Sequence, residues 1–326
     1  MEVVAAILTY NRIDLVQRCI SSILDQKAIK TKIIVVDNGS SDGTENIISK
    51  YDSEKVYFHR IDRNIGAAGG FNTALKLGYE SGADFVWMMD DDVICDPNAL
   101  EKLLEAFSLL REQGQQVPYL VSKAHAPSGA VTNVPDVDHR LNALAYQHWS
   151  QFLEHGLVPV SRATFVSALF PRKTIQRFGL PLSRMFIWGE DSEYTLRVTR
   201  EAPGFLVGSS HVEHVRAAAG APDIVTEQNA VRVAWHRHRI RNDIYIDRKY
   251  RRKRAVLRRI VNNLKLVMQL MARREFHKAR IVLTGIVQGI FFNPEPEQVG
   301  ACGTQRNSVP TPPETAPERE RILLKG

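Results

Sequence analysis

The stretch Phe85-Val86-Trp87-Met88-Met89-Asp90-Asp91-Asp92 decides the fold. Its apolar run is too short for a helix and rich in β-formers, so it predicts a buried strand. That strand ends in three carboxylates, a costly arrangement, because adjacent like charges raise one another's pKa and resist desolvation. A divalent cation relieves the cost, since hard cations take carboxylate oxygens and commonly bridge protein to phosphates. In an open α/β sheet the carboxyl ends of the strands are also where ligands bind. On the run alone two readings stand side by side: a metal site for a phosphate-bearing substrate, or a solvated turn helped by Asp96-Pro97.

Outward from this run, strands alternate with helices. Val3 to Leu8 predicts a first strand, and Asp14 to Leu24 has helical spacing. Lys32 to Val36 predicts a second strand, followed by the turn-rich Asp37-Asn38-Gly39-Ser40-Ser41-Asp42-Gly43 and a helix over Thr44 to Tyr51. Val56 to Arg60 predicts a third strand, Gly66 to Ser81 a helix, and Pro97 to Glu112 another. This alternation predicts an α/β fold, a mostly parallel sheet with helices on both faces. Between Gln113 and Ser161 the pattern weakens, and it returns at Ala163 to Pro171. From Trp235 to Phe292 the chain is expected to be mostly helical. Asn293 to Gly326 holds six of the fifteen prolines and is expected to be a disordered tail.

Composition excludes several classes. The 326 residues, 44% hydrophobic and 24% charged, suit a globular protein with a substantial core. Cys19, Cys95 and Cys302 form no CxxC pair, so neither a disulfide framework nor a zinc knuckle is indicated, and the usage suits a reducing cytoplasm. The N-terminus lacks a basic segment and cleavage site and reads as a strand rather than a signal peptide. Ala279 to Phe292 is too short and interrupted to span a bilayer. The net charge of +7 is uneven: Arg232 to Arg280 holds 17 Lys/Arg against Asp243, Asp247 and Glu275, while the rest of the chain is net acidic.

Polar groups stand at the ends of successive predicted strands: Thr9-Tyr10-Asn11-Arg12, Asp37, and Asp90 to Asp92. Asn64-Ile65-Gly66-Ala67-Ala68-Gly69-Gly70 offers small residues at a strand-to-helix junction, where a backbone can approach a diphosphate at a helix N-terminus, although a tight turn explains Gly69-Gly70 equally. No G-x-x-x-x-G-K-[ST] occurs, which argues against a P-loop NTPase. Trp188-Gly189-Glu190-Asp191 reads either as a catalytic base at a helix start or as an ordinary acidic N-terminus. In His211-Val212-Glu213-His214, strand alternation places His211 and Glu213 on one face and His214 on the other.

Taken in order and spacing, these segments resemble the family 2 glycosyltransferases, inverting enzymes with the GT-A fold. The resemblance runs from about Val3 to Asn242 and rests on Thr9 to Arg12, Val35 to Thr44, Asn64 to Phe71, Met89 to Asp92, Trp188 to Asp191 and Arg241-Asn242. Asn64 to Phe71, the triple Asp, Trp188 to Asp191, Leu169-Phe170-Pro171-Arg172 and Gly179-Leu180-Pro181 look most like the bacterial galactofuranosyltransferase and rhamnosyltransferase branch. The resemblance implies a catalytic domain over 1–230, with a nucleotide-sugar half at 1–112 and an acceptor half at 113–230. It implies donor contacts from Thr9, Asn11, Arg12, Asp37, Asn64, Gly69, Gly70, Asp90 and Asp91. It further implies Mg2+ or Mn2+ held by Asp90, Asp92 and a histidine, with His214 favoured over His211. Asp191 would be the general base, with Glu190 beside it and Trp188 and Glu190 facing the acceptor. The implied partners are a UDP- or dTDP-hexose donor, with galactofuranose or rhamnose favoured, and a glycan or lipid-linked glycan acceptor of bacterial surface polysaccharide synthesis.

The basic segment at 231–292 interleaves cationic and apolar residues, as a helix on an anionic membrane surface does. A place at the inner face of the plasma membrane follows as an expectation; an oligomer contact or a plain solvated face also fits the pattern. No nucleic-acid-binding motif is present. A non-catalytic sugar-nucleotide or glycan-binding module and a nucleotidyltransferase are the alternative functions.

Overall fold

A computed structural model describes residues 1–27, 29, 31–215 and 223–300. Strands and helices alternate through the first half: β1 (Val3–Thr9), α1 (Ile13–Leu24), β2 (Lys32–Asp37), α2 (Thr44–Ile48), β3 (Val56–Arg60), α3 (Gly66–Glu80), β4 (Phe85–Asp90), β5 (Val93–Cys95) and α4 (Ala99–Glu112). There follow β6 (Leu120–His125), β7 (Val131–Thr132), β8 (Asp136–Val137), β9 (Leu157–Arg162), β10 (Ala168–Pro171), α5 (Arg172–Phe178), α6 (Glu190–Val198) and β11 (Gly204–His214). Three helices close the described chain: α7 (Ala230–Tyr250), α8 (Lys253–Ala272) and α9 (Phe276–Phe291).

The strands form one sheet in the order β3-β2-β1-β4-β10-β6-β11-β9-β8, with β5 paired to β11 and β7 to β6. The expected parallel sheet is present: β3, β2, β1 and β4 are parallel neighbours. β10 runs antiparallel between β4 and β6, so β6 and its parallel neighbour β11 regain the direction of β4. β1 is buried on both faces, as a central parallel strand must be. Val3, Ala5 and Ile7 join a core with Val16, Ile20 and Leu103 from α1 and α4. Val4, Ala6 and Leu8 face the opposite core with Phe71, Leu75 and Tyr194 from α3 and α6. Burying each large side chain of these two layers contributes roughly 1.5–3 kcal/mol.

Register fixes the site. Thr9 pairs with Asp37 across β1 and β2, and Leu8 with Asp90 across β1 and β4, so all three polar strand ends reach one edge of the sheet. β5 pairs antiparallel with β11, setting His214 opposite Val93, and Val215 N donates to Asp92 O at 2.8 Å. That pairing brings His214 beside the aspartates.

α7, α8 and α9 pack on one another through Ile240, Ile244, Leu270, Val282 and Ile286. Gly285 and Gly289 sit directly on Ile240 and Ile244, where any Cβ would come within 2.8 Å of those side chains. The outer side of α8 leaves Leu257, Val261, Leu264, Met268 and Met271 exposed, one helical stripe at i, i+3 and i+4 spacing. Among the described residues no helix is long and apolar enough to cross a membrane. The sequence reading begins the tail at Asn293. Residues 293–300 carry no regular element but lie against the sheet domain: Leu180 N donates to Glu297 O, and Lys76 Nζ donates to Glu297 Oε1 at 2.8 Å. Residues 301–326, the rest of that expected tail, lie outside the described residues.

Candidate active site

At the carboxyl edge of the parallel strands lies a cleft of about 220 Å3, bordered by Thr9, Arg12, Asn64, Gly66, Ala67, Asp90, Asp91, Phe186 and Trp235. The ligand atoms of Asp90, Asp92 and His214 all lie within 4.8 Å of one another. His214 Nε2 is 3.0 Å from Asp92 Oδ1, yet Oδ1 is buried without a hydrogen-bond partner. The ring's other nitrogen, Nδ1, meets Asn133 Oδ1 at 2.8 Å. Asn133 Nδ2 donates to Thr164 Oγ1, and Thr132 Oγ1 donates to Asn133 Oδ1, which fixes the amide so that its oxygen faces the histidine. With Nδ1 donating to Asn133, a neutral ring turns a bare Nε2 toward that carboxylate oxygen, whereas a protonated ring pairs with it. In the neutral form the two facing acceptors suit a cation, and two carboxylates with one imidazole are a donor set that Mn2+ or Mg2+ accepts.

His211 is not part of the cluster; it is half-buried, with Nδ1 3.8 Å from Asp96. The alternation of β11 explains the choice, because only one of the two histidines can share the face of Val212.

The charges confirm how closely the acids crowd. Burial, then Asp92 and Asp91, push the Asp90 carboxyl well above the usual range. Burial raises Asp91 to about 6 despite Arg12 and Thr9. Burial also works against ionised Asp92, but pairing with a protonated His214 and with Arg12 outweighs it and holds that carboxyl low in the metal-free site.

Arg12 donates to Asp91 Oδ1 at 3.1 Å and to Asp92 Oδ2 at 2.8 Å, and Thr9 Oγ1 donates to Asp91 Oδ2 at 2.8 Å. Asp91 is thus turned inward onto Thr9 and Arg12. Asp37 is fully buried; its oxygens take Ser40 N and Arg60, and it holds the following loop rather than lining the cleft. Asn11, at φ 52°, also ties loops together, accepting Ser41 N at 2.7 Å while its own N donates to Ser40 Oγ.

Gly69 and Gly70, expected among the donor contacts, have a packing role in the fold. Both are buried inside α3. A Cβ on Gly69 would strike Ile65, and one on Gly70 would strike Leu8 of β1, so these glycines permit close helix–strand packing. The small residues at the cleft are Gly66 and Ala67. Gly66 has φ +81° and abuts the Phe186 carbonyl, which accepts Ala68 N at 2.9 Å. Asn64 Oδ1 accepts Gly66 N at 2.8 Å and shapes this junction.

Opposite stands the segment before α6. Phe186, Trp188 and Gly189 have φ of 65°, 60° and 113°, a concentration of left-handed backbone that its surroundings must enforce. Asn242 of α7 does so: its fully buried Nδ2 lies 3.0, 3.1 and 2.8 Å from the carbonyls of Met185, Ile187 and Trp188. Arg241 donates to the carbonyls of Arg184 and Met185. Trp188 packs on Trp235 and His236, with ring centroids 6.2 and 5.1 Å apart. Glu190 and Asp191 open α6 at this strained turn. Burial, then Asp191, raise Glu190 to about 8, and its Oε2 has no hydrogen-bond partner. Burial raises Asp191 too, but its Oδ1 accepts Ser192 N at 2.5 Å, which favours its ionised form. Of the two, Glu190 is the one that burial keeps protonated at neutral pH. Glu190 also raises Asp90, which places the acid pair and the metal-type cluster in one electrostatic neighbourhood.

Asn133 and Trp235 were not singled out from sequence. Asn133 sits in the weakly patterned region, and its only signal is turn punctuation at Asn133-Val134-Pro135.

The family description "Glycosyl transferase family 2" matches residues 5–153. Galactofuranosyltransferase GlfT1 of Mycolicibacterium smegmatis is 26% identical over 206 residues, covering 62% of this chain and 67% of that protein. Its counterpart in Mycobacterium tuberculosis is 28% identical over 212 residues, covering 62% and 66%. The match thus spans about two thirds of the length of these relatives. Poly-beta-1,6-N-acetyl-D-glucosamine synthase of Staphylococcus aureus is 28% identical over 137 residues, 41% of this chain and 29% of that protein. Among solved structures, GalNAc-T7 with UDP, GalNAc and Mn2+ has the same fold at a TM-score of 0.53 and 14% identity, over 75% of this chain and 50% of that one. The family 2 match over residues 5–153, the galactofuranosyltransferase relatives and the shared GT-A fold together support a glycosyltransferase of the family 2, galactofuranosyltransferase-like kind.

Proposed function

We propose that the chain transfers a hexose from a nucleoside diphosphate donor to a hydroxyl of a glycan or lipid-linked glycan, with metal dependence and inversion at the anomeric carbon. The observation that supports this reading is the nearness of the Asp90–Asp92–His214 cluster to the Glu190–Asp191 pair: Glu190 acts on Asp90, and Phe186 and Ile187 of the loop before α6 line the same cleft as Asp90. A divalent cation held by Asp90, Asp92 and His214 would supply Lewis-acid neutralisation of the leaving diphosphate. Arg12 and Thr9 orient the aspartates from below, and the backbone at Gly66 and Ala67 offers the close approach that a donor needs. Asp191 takes the proton of the acceptor hydroxyl while that oxygen bonds to the anomeric carbon. The bond from that carbon to the diphosphate breaks in the same step, leaving the electron pair on phosphate oxygen. One carboxylate base suffices for such a displacement. Glu190, protonated, donates a hydrogen bond to the acceptor, and Trp188 and Trp235 offer flat faces for sugar.

The names of two relatives support galactofuranose as the first choice of sugar, and rhamnose is the second; the donor is a UDP- or dTDP-hexose, used in the building of a bacterial surface polysaccharide. The basic helices α8 and α9 support a peripheral place at the inner face of the plasma membrane. A nucleotidyltransferase has no use for the acid pair at α6, and a binding module has none for a base beside a metal-type cluster. The test is Asp191→Asn, for which turnover falls by about 10²–10⁴ while donor affinity stays within a few-fold. Turnover near that of the parent protein rejects the assignment.

A further inference from the structure

A second cavity, of about 580 Å3, lies between the site loop and the C-terminal helices. Arg184, Arg237, His238, Arg241, Val287 and Phe291 border it. Arg184 belongs to the loop that leads to Glu190–Asp191, while Arg237 and Arg241 are one helical turn apart on α7 and share a face. Three guanidiniums therefore converge, yet among the described residues none of the three is paired with a carboxylate. Among the described residues Arg241 is held by neutral groups alone: the carbonyls of Arg184 and Met185, Asn242 Oδ1 and the ring face of Phe292 at 4.0 Å. Arg237 reaches only His238 Nε2, at 3.3 Å, and its own Nε is buried without a partner. His238 accepts at Nε2, so its buried, unpartnered Nδ1 is a second unused donor.

The crowding is visible in the titration of the groups. Burial, then Arg237 and Arg184, lower Arg241 to about 10. Burial, then Arg241 and Arg237, lower His238 to about 4, which keeps it neutral. Such a cluster persists at a cost that an anion removes, and guanidiniums match the oxygens of phosphate in paired hydrogen bonds. The rim is of the opposite character. Val287 and Phe291, on the last turns of α9, are 57% and 79% exposed. Cationic floor and apolar rim together fit a molecule that carries phosphate at one end and hydrocarbon at the other.

We propose that this cavity binds the phosphate or diphosphate headgroup of an amphiphilic acceptor, with its hydrocarbon along Val287 and Phe291. The headgroup is then held by the same loop that positions Asp191. Naming the bound amphiphile as the acceptor rests on the transferase reading above; the binding itself does not.

The full chain is titrated in EDTA, so that no metal-bound diphosphate contributes, with geranyl diphosphate, inorganic pyrophosphate and geraniol as probes. Geranyl diphosphate is expected to bind, pyrophosphate at least tenfold more weakly, and geraniol not at all. Arg184→Glu, on an exposed side chain, and Arg237→Gln each weaken geranyl diphosphate at least tenfold while circular dichroism and Tm stay at parent values. Absence of geranyl diphosphate binding, or binding unchanged in Arg184→Glu, overturns the site. Pyrophosphate binding as tightly as geranyl diphosphate overturns the amphiphile and leaves a free-phosphate site. None of these readouts depends on turnover, so a failure here and a failure of the Asp191 assignment are separate results.

Discussion

At the scale of single residues, the acid pair sets a pH dependence. Glu190 is pushed to about 8 by burial and then by Asp191. In the unfolded chain it ionises near the ordinary glutamate value of about 4.3, so between that value and about 8 the native state holds a proton that the unfolded state has lost. Stability therefore falls as pH rises through this window, at about 1.4 kcal/mol per unit, and levels off above it. Glu190→Gln in metal-free protein should raise Tm at pH 8 by on the order of 5 °C, with the gain shrinking toward pH 5. A gain that does not vary with pH contradicts the shift. Residue identity was readable in sequence where chemistry is concentrated, as in Asp90, Asp92 and Asp191, because runs of acid after apolar residues are costly without a purpose. Asn133 was not, because one amide in a turn looks the same whether or not a histidine 81 positions away leans on it.

At the scale of elements, the alternation of strand and helix predicted β1 to β4 and α1 to α4, since each has its own hydrophobic period. Their partnerships are long-range and leave no local trace. The pairing of β5 with β11 separates His214 from His211, and it depends on register rather than on composition. The same holds for α7. Arg241-Asn242 was visible as a motif, but its work of holding the 185–188 carbonyls appears only in three dimensions. Gly69-Gly70 misled for a related reason: glycine admits a ligand or a neighbouring strand equally, and here the neighbour is Leu8. Asn242→Ala removes the amide donor from the Ile187 and Trp188 carbonyls, leaves Met185 with Arg241 alone, and releases a left-handed turn. It should cost about 1–3 kcal/mol and lower kcat at least tenfold, with little change in donor affinity. Parent-like kcat in a folded Asn242→Ala protein would show that the turn needs no clamp.

At the scale of the whole molecule, charge and function divide along the chain. The sheet domain is net acidic and carries the chemistry, while the segment from Arg232 to Arg280 has 17 Lys/Arg against three acids and leaves an apolar stripe on α8. Sequence showed that imbalance plainly, but not that α9 ends beside an arginine-lined cavity next to the site. The protein should pellet with vesicles containing phosphatidylglycerol and not with neutral ones, and Leu257→Asp with Met268→Asp should release it. Equal recovery in the supernatant with both vesicle types rejects the membrane surface. The central claim, that Asp90, Asp92 and His214 hold a divalent cation for a nucleoside diphosphate, is tested most directly by calorimetric titration of UDP and dTDP with Mn2+ or with EDTA. One of the two nucleotides should bind at least tenfold more tightly with Mn2+, and Asp92→Asn and His214→Ala should each abolish that gain. Nucleotide affinity that is the same in EDTA, or a metal gain that survives in both variants, would contradict the account.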